Sequence, residues 1–138
     1  MNHLPLTGLG VALLALLAGM VVRRRAVMLV GLGLVAMTAG SAWPVYEYGE
    51  KSYDRVYAMA DDEGRVALDS HAKQAKKWIK LFYLTVVIAG AGIGVSWKWP
   101  KSLLPISLIV ALLSVFCLMG GYKVAEEGGK IRHREFRP

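Results

Sequence analysis

The chain has 138 residues and one cysteine, Cys117, enough for a single domain but for neither a disulfide framework nor a thiolate metal knot. Hydrophobic residues make up 55% and the mean hydropathy is +0.42, beyond the range of an ordinary water-soluble domain, so a membrane protein is expected. The net charge of +7 lies between and after apolar stretches, where Lys and Arg set topology and meet anionic lipid headgroups; it does not point to a nucleic-acid partner.

In chain order, the opening MNHLPLT lacks a basic segment and no small-residue cleavage site follows, so the first apolar stretch, 4–22, is expected to stay in place as a span. Arg23, Arg24 and Arg25 separate it from a second stretch, 26–45. One helix running through both would put these arginines at mid-bilayer at about 2.5–3.5 kcal/mol each, so a tight turn is predicted at that point. The third and fourth stretches, 81–97 and 102–122, are joined by Lys98, Trp99, Pro100 and Lys101, where proline ends the helix and tryptophan suits the headgroup level. At 1.5 Å per residue each stretch is long enough to cross a hydrocarbon core of about 30 Å.

The predicted architecture is all-α: a polytopic membrane four-helix bundle made of two helical hairpins, forming a single domain over 1–138. Its extramembrane parts are a partly helical loop, 46–80, and a tail, 123–138. From the end of the second stretch into the loop, Trp43, Tyr46, Tyr48, Tyr53 and Tyr57 form an aromatic belt, and residues 61–64 read as a turn. Ala67, His71, Ala75 and Trp78 then fall on one stripe of a helix that runs into the third span. Gly31 in the first hairpin and Gly90 and Gly94 in the third span are expected at close helix contacts.

Four crossings with two tight turns bring His3, His71 and His133 to one side of the membrane, together with Glu47, Glu50, Asp54 and Asp69. Three imidazoles with a carboxylate or water match the ligand set of zinc, copper or iron. The plainer alternative makes His3 and His133 solvated ends and gives His71 a backbone carbonyl as hydrogen-bond partner. Haem b, held by His71 with His3 or His133, is the rival cofactor, although no histidine lies inside a span.

Asn2-His3-Leu4-Pro5, Tyr48-Gly49-Glu50, His71 and the closing Gly128-Gly129-Lys130-Ile131-Arg132-His133 together resemble an uncharacterised family of small four-span bacterial membrane proteins. The resemblance covers nearly the whole chain and points to His3, Glu50, His71 and His133 as the residues of interest, the same set that the ligand chemistry offers to a metal. Where that family carries a glutamate two positions before the histidine, this chain has Asp69, an expected outer partner of the ligands. Gly128 and Gly129 are expected to let the tail leave the helix and fold back as a lid, with Arg132 pairing with Glu50 or Asp69 while His133 reaches inward. The flanks of the first span favour an outside N-terminus, hence periplasmic termini in a bacterial inner membrane. A count of all Lys and Arg runs the other way, with five in the two turns, seven in the loop and five in the tail.

The leading functional expectation is electron transfer or metal handling at one membrane face. The alternative is a non-catalytic accessory subunit of a larger membrane complex or homo-oligomer. A transporter is disfavoured because no acidic, basic or histidine residue lies inside a span, and a serine nucleophile because no triad spacing is present. A metal-dependent hydrolase with Glu50 as base would have its bare ingredients, but an enzyme is not the expectation.

Overall fold

A computed structural model describes residues 4–132, leaving out the side chain of Arg132. Among these residues there are only helices and short connections. A π-helical turn, Leu4–Gly8, leads into α1 (Leu9–Val21); α2 (Arg25–Gly40) and α3 (Ala42–Met59) follow, then α4 (Asp62–Lys98), a 3-10 turn (Pro100–Ser102) and α5 (Leu103–Arg132). Four helical stretches are long and apolar enough to cross a membrane: Leu4–Val21, Arg25–Met59, Asp62–Lys98 and Pro100–Ile131.

The first turn forms where the arginines demand it. Arg23 adopts φ 51°, and Arg24 and Arg23 donate their backbone N–H groups to the carbonyls of Gly19 (3.2 Å) and Met20 (3.3 Å). That pairing is a Schellman closure, with arginine in the left-handed position that glycine usually fills. Arg25 opens α2, and its guanidinium donates to the Ser96 carbonyl at 3.1 Å, tying the first turn to the end of α4. Both short turns therefore lie at one end of the bundle.

α1 packs on α2, α4 on α5, α2 on α4, and α1 on α5, closing a four-membered ring around Leu9, Leu16, Leu32, Val35, Ala89, Leu103 and Val110. Three buried hydroxyls donate within their own helices, Thr85 to Leu81 O, Ser96 to Ile93 O and Ser114 to Val110 O, each at 2.8 Å; Thr85 Oγ1 also lies 3.3 Å from Cys117 Sγ on α5, and the buried Ser107 hydroxyl has no partner among the described residues. Gly31 meets α1 so closely that a Cβ would stand 2.7 Å from Leu16 Cα. Gly90 and Gly94, expected at such contacts, face outward with no atom within 4 Å of an added Cβ. Gly92 between them takes the inner position, against Ile106. The helical repeat of about 100° per residue puts 90 and 94 on one face and 92 on the opposite one.

Two further expectations are corrected. The second span does not end in a loop at 45. It bends at Ser41, where the Ser41 hydroxyl donates to Thr38 O (2.6 Å) and Pro44 has no N–H to return, and then continues as α3. The connection 46–80 is helical apart from a break at Ala60 and Asp61, where the Asp61 carboxylate accepts from the Gly64 N–H (2.9 Å) and caps α4. At the other end, α5 runs on through Gly128 and Gly129 to Arg132, so the glycines do not release the chain as a lid.

These lengths have a geometric consequence. α1 with its leading turn spans 18 residues, about 27 Å, whereas α4 spans 37, about 55 Å. With the turns held together at one end, the surplus projects at the other. There Leu6 lies against Gly121, and beyond that level α3, the first half of α4 and the end of α5 continue without α1. In a detergent thermal or denaturant titration, Gly31→Ala should destabilise the protein by about 1–3 kcal/mol through overpacking against α1. Gly90→Ala should change stability by no more than about 0.5 kcal/mol in either direction.

Candidate functional site

The projecting helices carry the polar chemistry. On α4, half-buried His71 directs Nδ1 to the carbonyl of Val124 on α5 at 2.8 Å. A carbonyl only accepts, so Nδ1 is the donor, and in the neutral ring this tautomer leaves the lone pair on Nε2. Gly128 makes room for the ring, since a Cβ there would stand 3.1 Å from His71 Cε1. This glycine serves close approach between α5 and α4, a role opposite to the hinge expected of it.

One turn along α5, Glu127 accepts from Lys130 at 2.9 Å, and Lys130 also lies 3.9 Å from Glu126. The Lys130 hydrogen bond holds the Glu127 carboxyl below its ordinary range; partial burial opposes it, and the Ser70 hydroxyl and His71 pull the same way as the lysine. Glu127 in turn raises Lys130. Ser70 and His71 of α4 thus face Val124, Glu127 and Gly128 of α5 across one polar junction. Glu127 was not among the sequence candidates. The i, i+3 and i, i+4 spacing of Glu127 and Glu126 to Lys130 was the available signal, and it was obscured by reading 123–138 as a tail.

α3 is attached differently. The Tyr53 hydroxyl donates to Asp69 on α4, and Tyr46 donates to Glu50 at 2.7 Å within α3. Each phenol is pushed up to about 12, chiefly by the hydrogen bond to its carboxylate. Arg65 clasps the end of α3, its guanidinium 5.0 Å from the Tyr57 ring centre and its Nε donating to Tyr57 O at 3.2 Å.

Of the proposed metal ligands, Glu50 lies exposed on α3 with Tyr46 as its partner, and His71 lies at the α4–α5 junction. Asp69 accepts from the Tyr53 hydroxyl of α3. His3 and His133, and the side chain of Arg132, lie outside the described residues. Among the described residues no three His, Cys, Asp or Glu side chains converge as a metal-binding group. No known protein family, curated protein or solved structure matches the chain, so the site rests on its own geometry.

The Glu127 carboxylate stabilises the end of α5 fully above the ordinary glutamate value of about 4.3, and that contribution disappears as pH falls through its lowered folded value. Amide hydrogen exchange over 124–132 should therefore accelerate on acidification below about pH 4, beyond the intrinsic pH dependence of exchange. The same segment in Glu127→Gln should show no such additional step.

Proposed function

We propose that the chain is an integral membrane protein of the bacterial inner membrane, crossing the bilayer four times as two helical hairpins, and that it serves as a non-catalytic accessory subunit. The observation that supports this most is the balance of surface. Only 33–39% of each apolar stretch is buried within the protein, and Val11, Leu14, Val21, Val87, Leu108 and Leu112 turn outward. An apolar exterior of that extent matches the hydrocarbon of a bilayer far better than water. Beyond the apolar band, α3 is anchored chiefly to α4 and leaves Tyr48 and Met59 more than 70% exposed. Aromatic and methionine side chains on an otherwise lightly attached helix suit docking to a protein partner.

A second reading, metal binding at the projecting end, is favoured by one observation: the Nδ1 contact with Val124 O leaves the His71 Nε2 lone pair available as a ligand, the orientation that a backbone carbonyl imposes on metal-bound imidazoles. His3 and His133 would complete the nitrogen set and Glu50 would add a carboxylate, for zinc, copper or iron; haem b would instead take two of the histidines.

Sodium carbonate at high pH should leave the expressed chain in the membrane pellet; extraction into the supernatant would refute the spanning reading. Blue native electrophoresis of gently solubilised membranes should place it in a larger assembly, lost when Tyr48 and Met59 are both changed to Ala. The metal reading expects about one zinc, copper or iron per chain by elemental analysis, removed in His71→Ala, and haem would show as a Soret band. Metal content unchanged in His71→Ala would dismiss that residue as a ligand.

A further inference from the structure

The sequence KQAKKWIK, 73–80, lies in α4 immediately before the apolar stretch begins. Its four lysines, Lys73, Lys76, Lys77 and Lys80, are spaced i, i+3, i+4 and i+7, so they fall within about 100° of one another around the helix and extend over about 10 Å of its axis. All four are exposed, and no acidic residue interrupts the run. The ion pairs among the described residues involve Arg65 with Asp62 and Lys130 with Glu126 and Glu127, and none includes these four lysines. Like charges at these spacings repel one another in an isolated helix. Here they are retained because the opposite face is fixed: Trp78 packs into the notch left by Gly120, and His71 is bonded to Val124 O.

The height of the ridge identifies what it meets. Trp78 is level with Gly120, and the adjoining Gly121 lies against Leu6, at the start of the first apolar stretch. Lys80 thus stands at the edge of the apolar band and Lys73 about 10 Å further out. A phospholipid headgroup layer is about 5–7 Å deep on each side of the hydrocarbon, so the ridge passes through it and just beyond. Lysine stems can lie along the apolar edge while their ammonium groups reach the phosphates. The Lys77 ammonium lies 5.7 Å from the Trp78 ring centre, next to the interface where indoles settle.

We propose that Lys73, Lys76, Lys77 and Lys80 form a binding ridge for the phosphate groups of anionic phospholipids in the surrounding leaflet. It rests on the spanning reading above, and it adds a ligand class and a position to it. The ridge selects lipids by charge, because its donors are point-charge ammonium groups and carry no shape-specific fork.

The full-length protein in neutral detergent, examined by native mass spectrometry, should bind phosphatidylglycerol at least tenfold more tightly than phosphatidylcholine. Each single Lys→Gln change should weaken phosphatidylglycerol binding about fivefold, from the contribution of one lysine near a charged surface. The fourfold Gln variant should bind the two lipids alike, and the fourfold Arg variant should retain the preference, showing that charge and not the mere presence of a long side chain is responsible. Circular dichroism confirms that each variant keeps its helices; if the fourfold variant loses them, the single variants decide. Equal binding of the two lipids by the native protein, or an undiminished preference in folded Gln variants, overturns the proposal. Displacement of the lipid by glycerol phosphate or by polyglutamate also overturns it, assigning the ridge to a soluble phosphate or to an acidic protein. A chain that resists carbonate extraction but shows no lipid preference refutes the ridge alone, whereas a chain extracted by carbonate refutes the spanning reading beneath it.

Discussion

The Arg25 guanidinium on the Ser96 carbonyl is the contact from which the architecture follows. Three consecutive arginines cannot be buried in an apolar bundle, so the chain must reverse there, and once it has reversed the third arginine is spent on the end of α4. A charged donor on a carbonyl contributes about 1.5–3 kcal/mol when partly shielded from water. More consequentially, it fixes the two short turns at the same end. Every difference in helix length must then accumulate at the opposite end, which is why a chain of this size has a distinct projecting part.

That part is held by a few polar contacts laid over helix packing. His71 to Val124 O and Glu127 to Lys130 belong to the α4–α5 junction, and Tyr53 to Asp69 joins α3 to α4. None of the three lies within the apolar ring below, where Thr85, Ser96 and Ser114 donate to carbonyls of their own helices. The division separates two tasks. Close approach at Gly31 and Gly92 assembles the ring, while polar contacts orient the projecting helices, which remain largely exposed. α3 has a single buried residue, Ala42, at its very start.

The apolar stretches and their turns were legible in the sequence because arginines and proline mark them with large energetic penalties that no tertiary context removes. The extensions of α3 and α5 were harder to read. Tyr46 to Glu50 and Tyr53 to Tyr57 are i, i+4 pairs, a helical signal, yet the aromatic residues also suit an interfacial belt. Gly128 and Gly129 looked like a chain reversal, and only the position of the His71 ring against Gly128 reveals a glycine selected by proximity. The same problem separated Gly92 from Gly90 and Gly94, since spacing alone gives a shared face but not which face turns inward. Counting crossings places His71 and Glu50 toward one end, but it carries no information about azimuth. In the structure they sit on different helices, each with its own partner.

In the proposed four-crossing arrangement both short turns lie at one membrane face and the projecting helices at the other. This arrangement is tested most directly by single cysteines placed at Arg24, Lys101, Ser52 or Lys123 in a Cys117→Ala background, labelled with a membrane-impermeant maleimide in sealed vesicles of each orientation. Positions 24 and 101 should label together in one orientation, and 52 and 123 together in the other. Labelling of 24 alongside 52, or of 24 and 101 in opposite orientations, would contradict the four-crossing arrangement.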